Sequence, residues 1–324
     1  MFYAKILAIG SYIPKNILTN SDLEMIVETS DEWITERSGI KERRIASKDE
    51  TTSVIGYKSA LKALEKANLG AKDIDLIICA TNTPDMQFPA TACLIAGLLN
   101  IKVPCFDIQA GCPSPIYALE IARGLIESGL YKTILLVSSE TLSRYLDWND
   151  RSTCVLFGDG ASSFILTRSN EPGIISSYLS GDGNLGDLLK FPAGGSKEPT
   201  SIYTVKYRDH GVRMQGREVF RYAVSYMAES CIKVLEKANM KSDDIDWLVP
   251  HQANIRIIDA TAEKLNISKE RVYINIHKYG NTSAASIGIA LDEMIESGLL
   301  KRGQNVLIVS FGAGFTWGSM IFKL

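Results

Sequence analysis

Hydrophobic and polar residues follow one another along the chain with two different spacings. Segments 59–69 and 227–240 place apolar residues at helical spacing, which predicts amphipathic helices. Short continuous apolar runs lie at 76–80, 134–139 and 306–310, and such runs between helices are typical of strands that are covered on both faces. The pattern therefore predicts an α/β protein.

This pattern occurs twice in the chain. Residues 64–80, LEKANLGAKDIDLIICA, return without a gap as residues 235–251, LEKANMKSDDIDWLVPH. Further on, residues 125–140 are echoed by residues 294–312, and each copy reads as a helix, a turn and a strand. Because two blocks recur in the same order, we expect two β/α halves that pack as a pseudo-twofold pair.

A boundary between the halves fits residues 167–175, where Asn, Pro and Gly interrupt the pattern. We therefore divide the chain into an N-terminal half, residues 1–170, and a C-terminal half, residues 171–324. When the halves are aligned on their shared IESG, Cys112 falls opposite Asn281, and both residues precede a predicted helix. Since a pseudo-twofold axis brings equivalent loops together, the two residues are expected to face one cavity.

Composition and charge exclude several other classes of protein. The chain has 35 Lys and Arg against 37 Asp and Glu, a net charge of −2, which gives no indication of a broad nucleic-acid or membrane surface. No apolar run reaches membrane-spanning length, and the first residues, MFYAKILAIGSYIP, read as a strand and a turn rather than as a secretion signal. The six cysteines form no CxxC pair, and we expect five of them to be small core residues in a reducing cytoplasm.

Cys112 has a different context from the other cysteines. It lies between a run of small residues and a predicted helix, and Pro113 and Pro115 follow it almost at once. Pro115 suits the first turn of a helix, and a helix N-terminus lowers the pKa of a thiol toward the reactive thiolate. The turn is therefore expected to aim and activate a nucleophile, although a buried structural thiol also fits the local sequence.

A nucleophilic cysteine normally works with a base or an ion-pair partner, and the chain has three histidines. His210 lies in a polar stretch and is expected to be solvated, and His277 reads as a loop or surface residue. His251 ends an apolar run, at the strand end where β/α proteins usually build sites. A hydrogen-bonded core histidine is the alternative, but the repeat-derived pair of Cys112 and Asn281 favours His251 as a site residue.

The glycine-rich segment 310–319, SFGAGFTWGS, could suggest a nucleotide site. It follows a predicted strand, but no helix with a phosphate-loop signature comes after it, and WGSMIFKL reads as a closing strand. The small residues are better suited to letting a backbone N–H approach a reacting carbonyl oxygen closely.

Six stretches in the same order resemble the β-ketoacyl-acyl-carrier-protein synthase III family of the thiolase-like fold. They are DEWITERSGIKERR at 31–44, the Cys112 turn, RSTCVLFGDGAS at 151–162, PHQANIRI at 250–257, GNTSAAS at 280–286 and FGAGFTWGS at 311–319. The resemblance runs from end to end and implies two pseudo-twofold-related β/α halves in a layered α-β-α-β-α sandwich. The set of one cysteine, one histidine and one asparagine resembles that of the synthases that initiate chain synthesis, because the elongating synthases use two histidines with their cysteine.

The resemblance also implies roles for individual residues. Cys112 would accept the acyl group, and His251 and Asn281 would form the decarboxylation pair. The backbone N–H groups of Cys112 and Ala313 would hold the oxyanion. Coenzyme A contacts are implied at Trp33, Arg37 and Arg151, and Phe88 matches a residue that the family lends across its dimer interface to the partner's acyl pocket. Contacts to the acyl carrier protein are implied at Gln252, Ala253, Asn254, Ile255 and Arg256.

An acyl carrier protein presents an acidic helix, so a local basic patch is expected despite the near-neutral chain. Arg221, Arg256 and Lys264 are the candidates, with Arg217 as an addition. Ordinary solvated charges are the alternative for each of them taken singly.

The chain departs from the family pattern beside the nucleophile. Pro113, Ser114 and Pro115 stand where the family has a small residue, a glycine and an aromatic. Ala313 replaces the middle glycine of three, and Arg217 stands where asparagine is common. Because the prolines stiffen the turn and the aromatic is missing, we expect a reshaped acyl pocket and a primer larger than acetyl.

The implied reaction initiates fatty acid synthesis. An acyl group passes from acyl-CoA to Cys112 and is condensed with malonyl carrier protein to a β-ketoacyl thioester, with no metal or redox cofactor. Acyl-CoA, the acyl carrier protein and a second copy of the chain are the implied partners, with no nucleic acid and no membrane insertion. The alternatives are a relative that passes the acyl group to another acceptor, a cysteine hydrolase and a catalytically silent carrier-binding scaffold. Retention of both His251 and Asn281 favours the condensation.

Overall fold

The computed structural model describes residues 2–324, and its strands form two large sheets and two small ones. In chain order the strands are β1 (Tyr3–Tyr12), β2 (Asn16–Thr19), β3 (Glu42–Ile45), β4 (Leu76–Ala80), β5 (Cys105–Ile108), β6 (Thr133–Glu140), β7 (Gly160–Ser169), β8 (Ile174–Gly181), β9 (Leu189–Lys190), β10 (Arg213–Met214), β11 (Trp247–Pro250), β12 (Asn305–Gly312) and β13 (Thr316–Lys323). The helices are α1 (Asn20–Glu24), α2 (Asp31–Ser38), α3 (Thr52–Ala67), α4 (Thr91–Leu98), α5 (Ser114–Glu127), α6 (Arg151–Cys154), α7 (Ile202–Lys206), α8 (Gly216–Ala238), α9 (Ile255–Lys264), α10 (Ile276–Tyr279) and α11 (Ser286–Glu296). None of the helices within the described range has the length and apolar character that crossing a membrane requires.

The two large sheets share one arrangement of strands. The first has the order β1-β7-β6-β4-β5, and the second, read in the matching direction, has the order β8-β13-β12-β11. In the first sheet β4 and β6 run parallel and β6, β7 and β1 pair antiparallel. In the second sheet β11 and β12 run parallel and β12, β13 and β8 pair antiparallel. The halves are therefore two copies of one β/α unit, as the sequence repeat predicts, with β5 as an extra edge strand.

Helices separate and cover the two sheets in five layers. α3 and α4 pack on the outer face of the first sheet, and α8 and α9 pack on the outer face of the second. α5 and α11 lie between the sheets and contribute to a central apolar cluster with strands of both halves. The predicted α-β-α-β-α sandwich is confirmed.

The central core joins the two halves of the chain. The strands of the first large sheet end at Ser169 and those of the second begin at Ile174, on either side of the predicted boundary. Leu119 of α5 and Leu291 of α11 belong to one buried cluster that also contains Val249 of the second sheet. The division at residue 170 into two domains stays a prediction, because the two sheets bury their inner faces against the same helices.

The repeated segments adopt the same local structure. α3 and α8 each end at an asparagine in the left-handed region, Asn68 and Asn239, both with a φ of 54°. Both helices are longer than predicted, since α3 begins at Thr52 and α8 at Gly216. The first turns of α8 are stabilised by tertiary packing, since residues such as Phe220 pack against the apolar cluster on the outer face of the second sheet. The local spacing of apolar residues therefore did not predict them.

Three of the five cysteines expected in the core are buried, namely Cys79, Cys154 and Cys231. Cys93 and Cys105 are only half-buried, and their sulfur atoms lie 3.2 Å apart. They are less buried because β5 is an edge strand, so nothing within residues 2–324 continues the sheet beyond it.

We predict that Gly288→Ala lowers the free energy of unfolding by about 1–3 kcal/mol, because α11 approaches β7 too closely for a side chain there. A Cβ at this position would lie 2.1 Å from Ser162 Oγ and 2.5 Å from Ser162 Cβ. Gly124→Ala in α5 is the matched control, since its Cβ would meet nothing within 4 Å, and it should gain up to about 1 kcal/mol. Chemical denaturation of both variants measures this, and equal midpoints would contradict the predicted packing.

Candidate active site

The turn that carries Cys112 connects β5 to the central helix α5. Gly111 has a φ of +64°, a value that favours glycine, and α5 begins at Ser114 with Pro115 in its first turn. The Ser114 hydroxyl donates to the Gly111 carbonyl over 2.6 Å and accepts from the Ala110 N–H over 2.8 Å. Ser114 therefore closes the turn with its own side chain, and this fixes the position of Cys112 at the mouth of the helix.

The end of β12 lies against this turn with almost no space between the two backbones. A Cβ on Gly312 would lie 2.5 Å from the Cys112 backbone nitrogen, and a Cβ on Gly111 would lie 2.7 Å from the Ala313 backbone nitrogen. Only glycine fits at these two positions without displacing the backbone. The structure thus brings the amides of Cys112 and Ala313, one from each half, to the same place.

His251 follows β11 and is held as a neutral hydrogen-bond donor. Its backbone N–H donates to the Val309 carbonyl over 2.8 Å, and its Nδ1 lies 2.6 Å from Ser286 Oγ. Ser286 Oγ also accepts from the Gln252 N–H over 3.4 Å. A Ser286 proton donated to Nδ1 would leave the ring proton of His251 on Nε2. Burial lowers the pKa of His251 to about 3, because an imidazolium would be desolvated there.

Asn281 is fixed through its backbone and one of its amide atoms. Its N–H donates to the Leu156 carbonyl over 2.9 Å, and its carbonyl accepts from the Gly158 N–H over 3.0 Å. Its side-chain oxygen accepts from the Ser283 N–H over 2.8 Å. Because a backbone N–H can only donate, the amide oxygen must face Ser283, and the Asn281 NH₂ group is left to donate elsewhere.

The three residues are linked through one loop. Ser283 donates its hydroxyl proton to Cys112 Sγ over 3.3 Å, and its backbone holds Asn281. Cys112, Ser283 and Ala313 line a cavity of about 870 Å³, whose apolar wall is formed by Leu142, Tyr145, Phe157, Leu189, Phe191 and Val212. His251 and Asn281 do not line this cavity, and the two residues are buried with 3% and 7% exposure.

The expected effect of Pro113, Ser114 and Pro115 on the acyl pocket has no geometric support. None of the three lines the cavity, and all three are buried at the start of α5. They shape the turn and pack into the central layer because the helix begins there.

Cys112 does not have the lowered pKa that a place at a helix N-terminus predicts. Burial raises the pKa of the Cys112 thiol to about 12, and the charge of Glu140 adds to this, while the hydrogen bond from Ser283 opposes it. Desolvation of an anion outweighs the favourable field of the helix N-terminus here. Burial therefore disfavours both the Cys112 thiolate and the His251 imidazolium.

Comparisons with known proteins agree along the whole chain. The family model 3-oxoacyl-[acyl-carrier-protein] synthase III matches residues 106–183, and the model of its C-terminal part matches residues 235–324. A beta-ketoacyl-[acyl-carrier-protein] synthase III of Caldanaerobacter subterraneus subsp. tengcongensis is 51% identical over 99% of this chain and 97% of its own. The protein of that name from Clostridioides difficile is 49% identical over 99% of this chain and 98% of its own. The crystal structure of the 3-oxoacyl-[acyl-carrier-protein] synthase III from Aquifex aeolicus has a TM-score of 0.92 and 49% identity, with 99% of this chain and 100% of that chain covered.

The chain belongs to the synthase III family. Its sequence-based identification as an acyltransferase of this family, with the thiolase-like fold, is confirmed.

The residues expected to meet coenzyme A in a synthase III lie at one surface. The Arg151 guanidinium carbon is 5.1 Å from the centre of the half-buried Trp33 ring, and its Nη1 donates to the Glu28 carbonyl. Arg37 is exposed one helical turn beyond Trp33. A flat aromatic ring beside exposed guanidinium groups is suited to an adenine with its phosphates.

Gln252 does not have the surface role expected of a carrier-protein contact. Its side chain is 1% exposed, and its Nε2 donates to the carbonyls of Pro250 and Tyr273. Its Oε1 accepts from the backbone N–H groups of Asn275 and Ile276. With all these partners inside the protein, Gln252 fixes the loop that follows β11 rather than meeting a partner.

The rest of this segment lies closer to the surface. Ala253 and Ile255 are half-buried, and Asn254 caps α9 by accepting from the Arg256 N–H while its Nδ2 donates to the Arg37 carbonyl. The start of α9 is therefore attached to the helix that carries Trp33. Arg256 is exposed, and its guanidinium lies 5.2 Å from the Phe220 ring centre.

The other basic candidates lie on the neighbouring helices. Arg217 and Arg221 are exposed at the start of α8, and Lys264 is exposed in the last turn of α9. Arg221 forms an ion pair with Glu218 over 2.6 Å, so its charge is partly compensated.

Phe88 is 84% exposed in the loop after β4. An apolar ring that is so exposed has little contact with the core of its own chain. Such exposure is typical of a residue that a partner covers. Residues 2–324 hold no cluster of three or more His, Cys, Asp and Glu side chains placed to bind a metal ion.

Sequence reasoning missed four polar residues around the site. Ser283 and Ser286 lie in the quoted GNTSAAS motif, and their short spacing from Asn281 was the available signal. Glu140 ends an apolar strand, and a carboxyl group at such a strand end could have been singled out. His210, expected to be solvated, is half-buried and lines the cavity with its Nε2 3.0 Å from Thr204 Oγ1.

We predict that alkylation of Cys112 accelerates about tenfold per pH unit from about pH 7 to about pH 10, with no plateau. A pKa of about 12 keeps the protonated thiol dominant throughout this range, so the thiolate fraction rises with each unit of pH. Iodoacetamide rates from peptide mass spectrometry measure this, with Cys112→Ala identifying the labelled peptide. A plateau already below about pH 8 would indicate a preformed thiolate and contradict the prediction.

Proposed function

We propose that the protein transfers an acyl group from acyl-CoA to Cys112 and condenses it with malonyl carrier protein to give a β-ketoacyl-carrier thioester, the first condensation of fatty acid synthesis. The observation that carries the proposal is the neutral donor pair beside the thiol. Asn281 is joined to Cys112 through Ser283, and the hydrogen bond between His251 Nδ1 and Ser286 suits a ring that carries its proton on Nε2. A hydrolase or a simple acyl transferase has no need of two such donors.

In the first half-reaction the Cys112 sulfur attacks the thioester carbon of acyl-CoA. As the bond from Sγ to the carbonyl carbon forms, the thiol proton of Cys112 passes through solvent to the sulfur of coenzyme A, whose bond to that carbon breaks, and coenzyme A departs as the thiol. The backbone N–H groups of Cys112 and Ala313 hold the oxyanion, and a donor of this kind contributes about 3 kcal/mol to transition-state stabilisation. Their adjacency at the two glycines supports this role.

In the second half-reaction the malonyl group loses carbon dioxide. The electron pair of the broken C–C bond moves into an enolate, whose oxygen accepts hydrogen bonds from His251 Nε2–H and from the Asn281 NH₂ group. The enolate carbon then attacks acyl-Cys112, and the cysteine sulfur leaves and regains a proton. The electron pair comes from the C–C bond itself, so the scheme uses no metal or redox cofactor.

Coenzyme A, the acyl carrier protein and a second copy of the chain are the proposed partners. Trp33, Arg37 and Arg151 would bind the adenine end of coenzyme A, and the surface of Ala253–Arg256 with Arg217, Arg221 and Lys264 would meet the acidic carrier protein. The exposed ring of Phe88 supports a homodimer in which it reaches the partner's acyl pocket. We place the protein in the cytoplasm, where acyl-CoA and free thiols occur together.

The two half-reactions should separate in variants of the site. Cys112→Ala should form no acyl-enzyme from acyl-CoA, whereas His251→Ala and Asn281→Ala should still form it. The latter two should lose malonyl decarboxylation by about a hundredfold or more, because each removes a donor to the enolate oxygen. Intact mass measures acylation and carbon dioxide release measures decarboxylation.

Cys93→Ala is the matched control for the nucleophile, since this cysteine is half-buried and remote from His251 and Asn281 in the fold. An acyl mass on the Cys112→Ala protein would refute the assignment. Equal loss of both half-reactions in His251→Ala would instead make His251 a base for Cys112.

Binding of the two substrates should be affected by different residues. Trp33→Ala should raise the KM for acyl-CoA more than that for malonyl carrier protein, because it removes the surface that stacks on adenine. Arg256→Ala should do the reverse and weaken the salt dependence of carrier binding, since it removes an exposed positive charge. Steady-state kinetics with each substrate varied in turn decide this, and parallel changes in both KM values would argue for a structural effect.

A further inference from the structure

Glu140 is a fully buried carboxyl group at the end of β6, with 0% exposure. No Lys, Arg or His side chain among residues 2–324 forms an ion pair with it. It accepts hydrogen bonds instead, from the Asn82 N–H, the Asn82 NH₂ group over 2.7 Å, the Thr83 hydroxyl over 2.7 Å and the Thr81 hydroxyl over 3.4 Å. A buried carboxyl with so many partners and no cation needs an explanation.

The groups that surround Glu140 are hydrogen-bond donors. Thr83 Oγ1 accepts from the Thr141 N–H, and Thr81 Oγ1 accepts from the Thr83 N–H, which leaves both hydroxyl protons free to point at the carboxyl group. The two Asn82 groups can only donate. Burial raises the pKa of Glu140, and its hydrogen bonds with Thr83, Asn82 and Ser283 oppose that rise because they favour the carboxylate.

Asn82 connects this carboxylate to the nucleophile. Its NH₂ group donates to Glu140 Oε1 and also to Ser283 Oγ, over 3.2 Å. Ser283 Oγ accepts there, and it donates to Cys112 Sγ over 3.3 Å. Ser283 has a φ of +46°, an uncommon and strained value for a residue other than glycine. The loop is thus held in a strained conformation that presents this hydroxyl to the sulfur.

We propose that Ser283 and Glu140 are positioning residues that set the reactivity of Cys112 in opposite directions. The Ser283 hydroxyl donates to the sulfur and stabilises its thiolate as the thioester is attacked. The Glu140 carboxylate orients that hydroxyl through Asn82, and its negative charge keeps the resting sulfur protonated. The inference rests on the proposed function, in which Cys112 accepts the acyl group.

The surrounding charges agree with this division of roles. Glu140 is the charged group that acts on Cys112, and it adds to the raised pKa of the thiol, whereas the Ser283 hydrogen bond lowers it. Burial also raises the pKa of Cys79 on β4 and of Tyr145 after β6, and the charge of Glu140 adds to both. His251 stays neutral, as described above.

Two nearly isosteric substitutions test the proposal because their expected effects have opposite signs. Ser283→Ala should slow alkylation of Cys112 by iodoacetamide about tenfold at a fixed pH and shift the rate profile to higher pH, because a hydrogen bond to the thiolate is lost. Glu140→Gln should accelerate alkylation about threefold or more and shift the profile to lower pH, because a buried negative charge is removed. Self-acylation by acyl-CoA should slow in Ser283→Ala.

Matched controls separate these effects from general loosening of the fold. Ser138→Ala removes a buried hydroxyl that has no hydrogen-bond partner, two residues before Glu140. Asp159→Asn neutralises another fully buried carboxyl group, one that is held by Ser143 and the Ala46 N–H. Neither should move the pH profile of Cys112 alkylation. If Glu140→Gln does not fold, Asn82→Ala replaces it and should slow alkylation, because the Ser283 hydroxyl would no longer be directed to the sulfur.

A wild-type profile in Ser283→Ala, or shifts of the same sign in Ser283→Ala and Glu140→Gln, would overturn the proposal. Failure of the proposed function would look different, because the unmodified protein would then gain no acyl mass from any acyl-CoA. Normal acylation of the wild type together with an unshifted Ser283→Ala profile would therefore refute only this inference.

Discussion

The approach of two backbones is the constraint on which the rest of the site depends. The Cys112 turn belongs to the N-terminal half and the Gly312–Ala313 segment to the C-terminal half, and glycines let them meet at distances that exclude any Cβ. This contact lies where α5 begins and β12 ends, so the position of the sulfur depends on the packing of both sheets against the central helices. A shift of either half would separate the backbone amides of Cys112 and Ala313.

Burial at this junction decides the electrostatics of the chemistry. Burial disfavours the charged forms of both the thiol and the imidazole. It raises the pKa of Cys112 to about 12 and lowers the pKa of His251 to about 3. Such a site favours reactions in which charge appears only in the transition state and is met by fixed donors. The enolate of a decarboxylation is of this kind, and the oriented amide of Asn281 and the Nε2–H of His251 suit it. A preformed thiolate–imidazolium pair would suit acyl transfer. It is not needed for decarboxylation, because a neutral His251 can donate a hydrogen bond to the enolate oxygen.

Serine side chains do much of the positioning. Ser114 closes the Cys112 turn, Ser286 forms a hydrogen bond with His251 Nδ1, and Ser283 holds Asn281 with its backbone and Cys112 with its hydroxyl. Gln252 has a comparable role beside them, since its amide binds four backbone groups inside the protein. A short polar side chain fits between closely packed elements and can satisfy a buried donor or acceptor at little loss of rotamer freedom.

The sequence by itself determined the α/β class and the duplicated order of elements, because these follow from periodicity and from a repeat, and its motifs predicted Cys112, His251 and Asn281 as the site. It did not determine the burial of Gln252, the absence of Pro113–Pro115 from the cavity wall or the raised pKa of Cys112. Each of these depends on which elements pack over a residue, and those elements lie far away in the chain. The network from Glu140 through Asn82 to Ser283 joins β6, the loop after β4 and the loop before α11. Only the tertiary structure brings these three segments together, because buried hydrogen-bond partners are chosen by the packing of sheets and helices and not by neighbours in sequence.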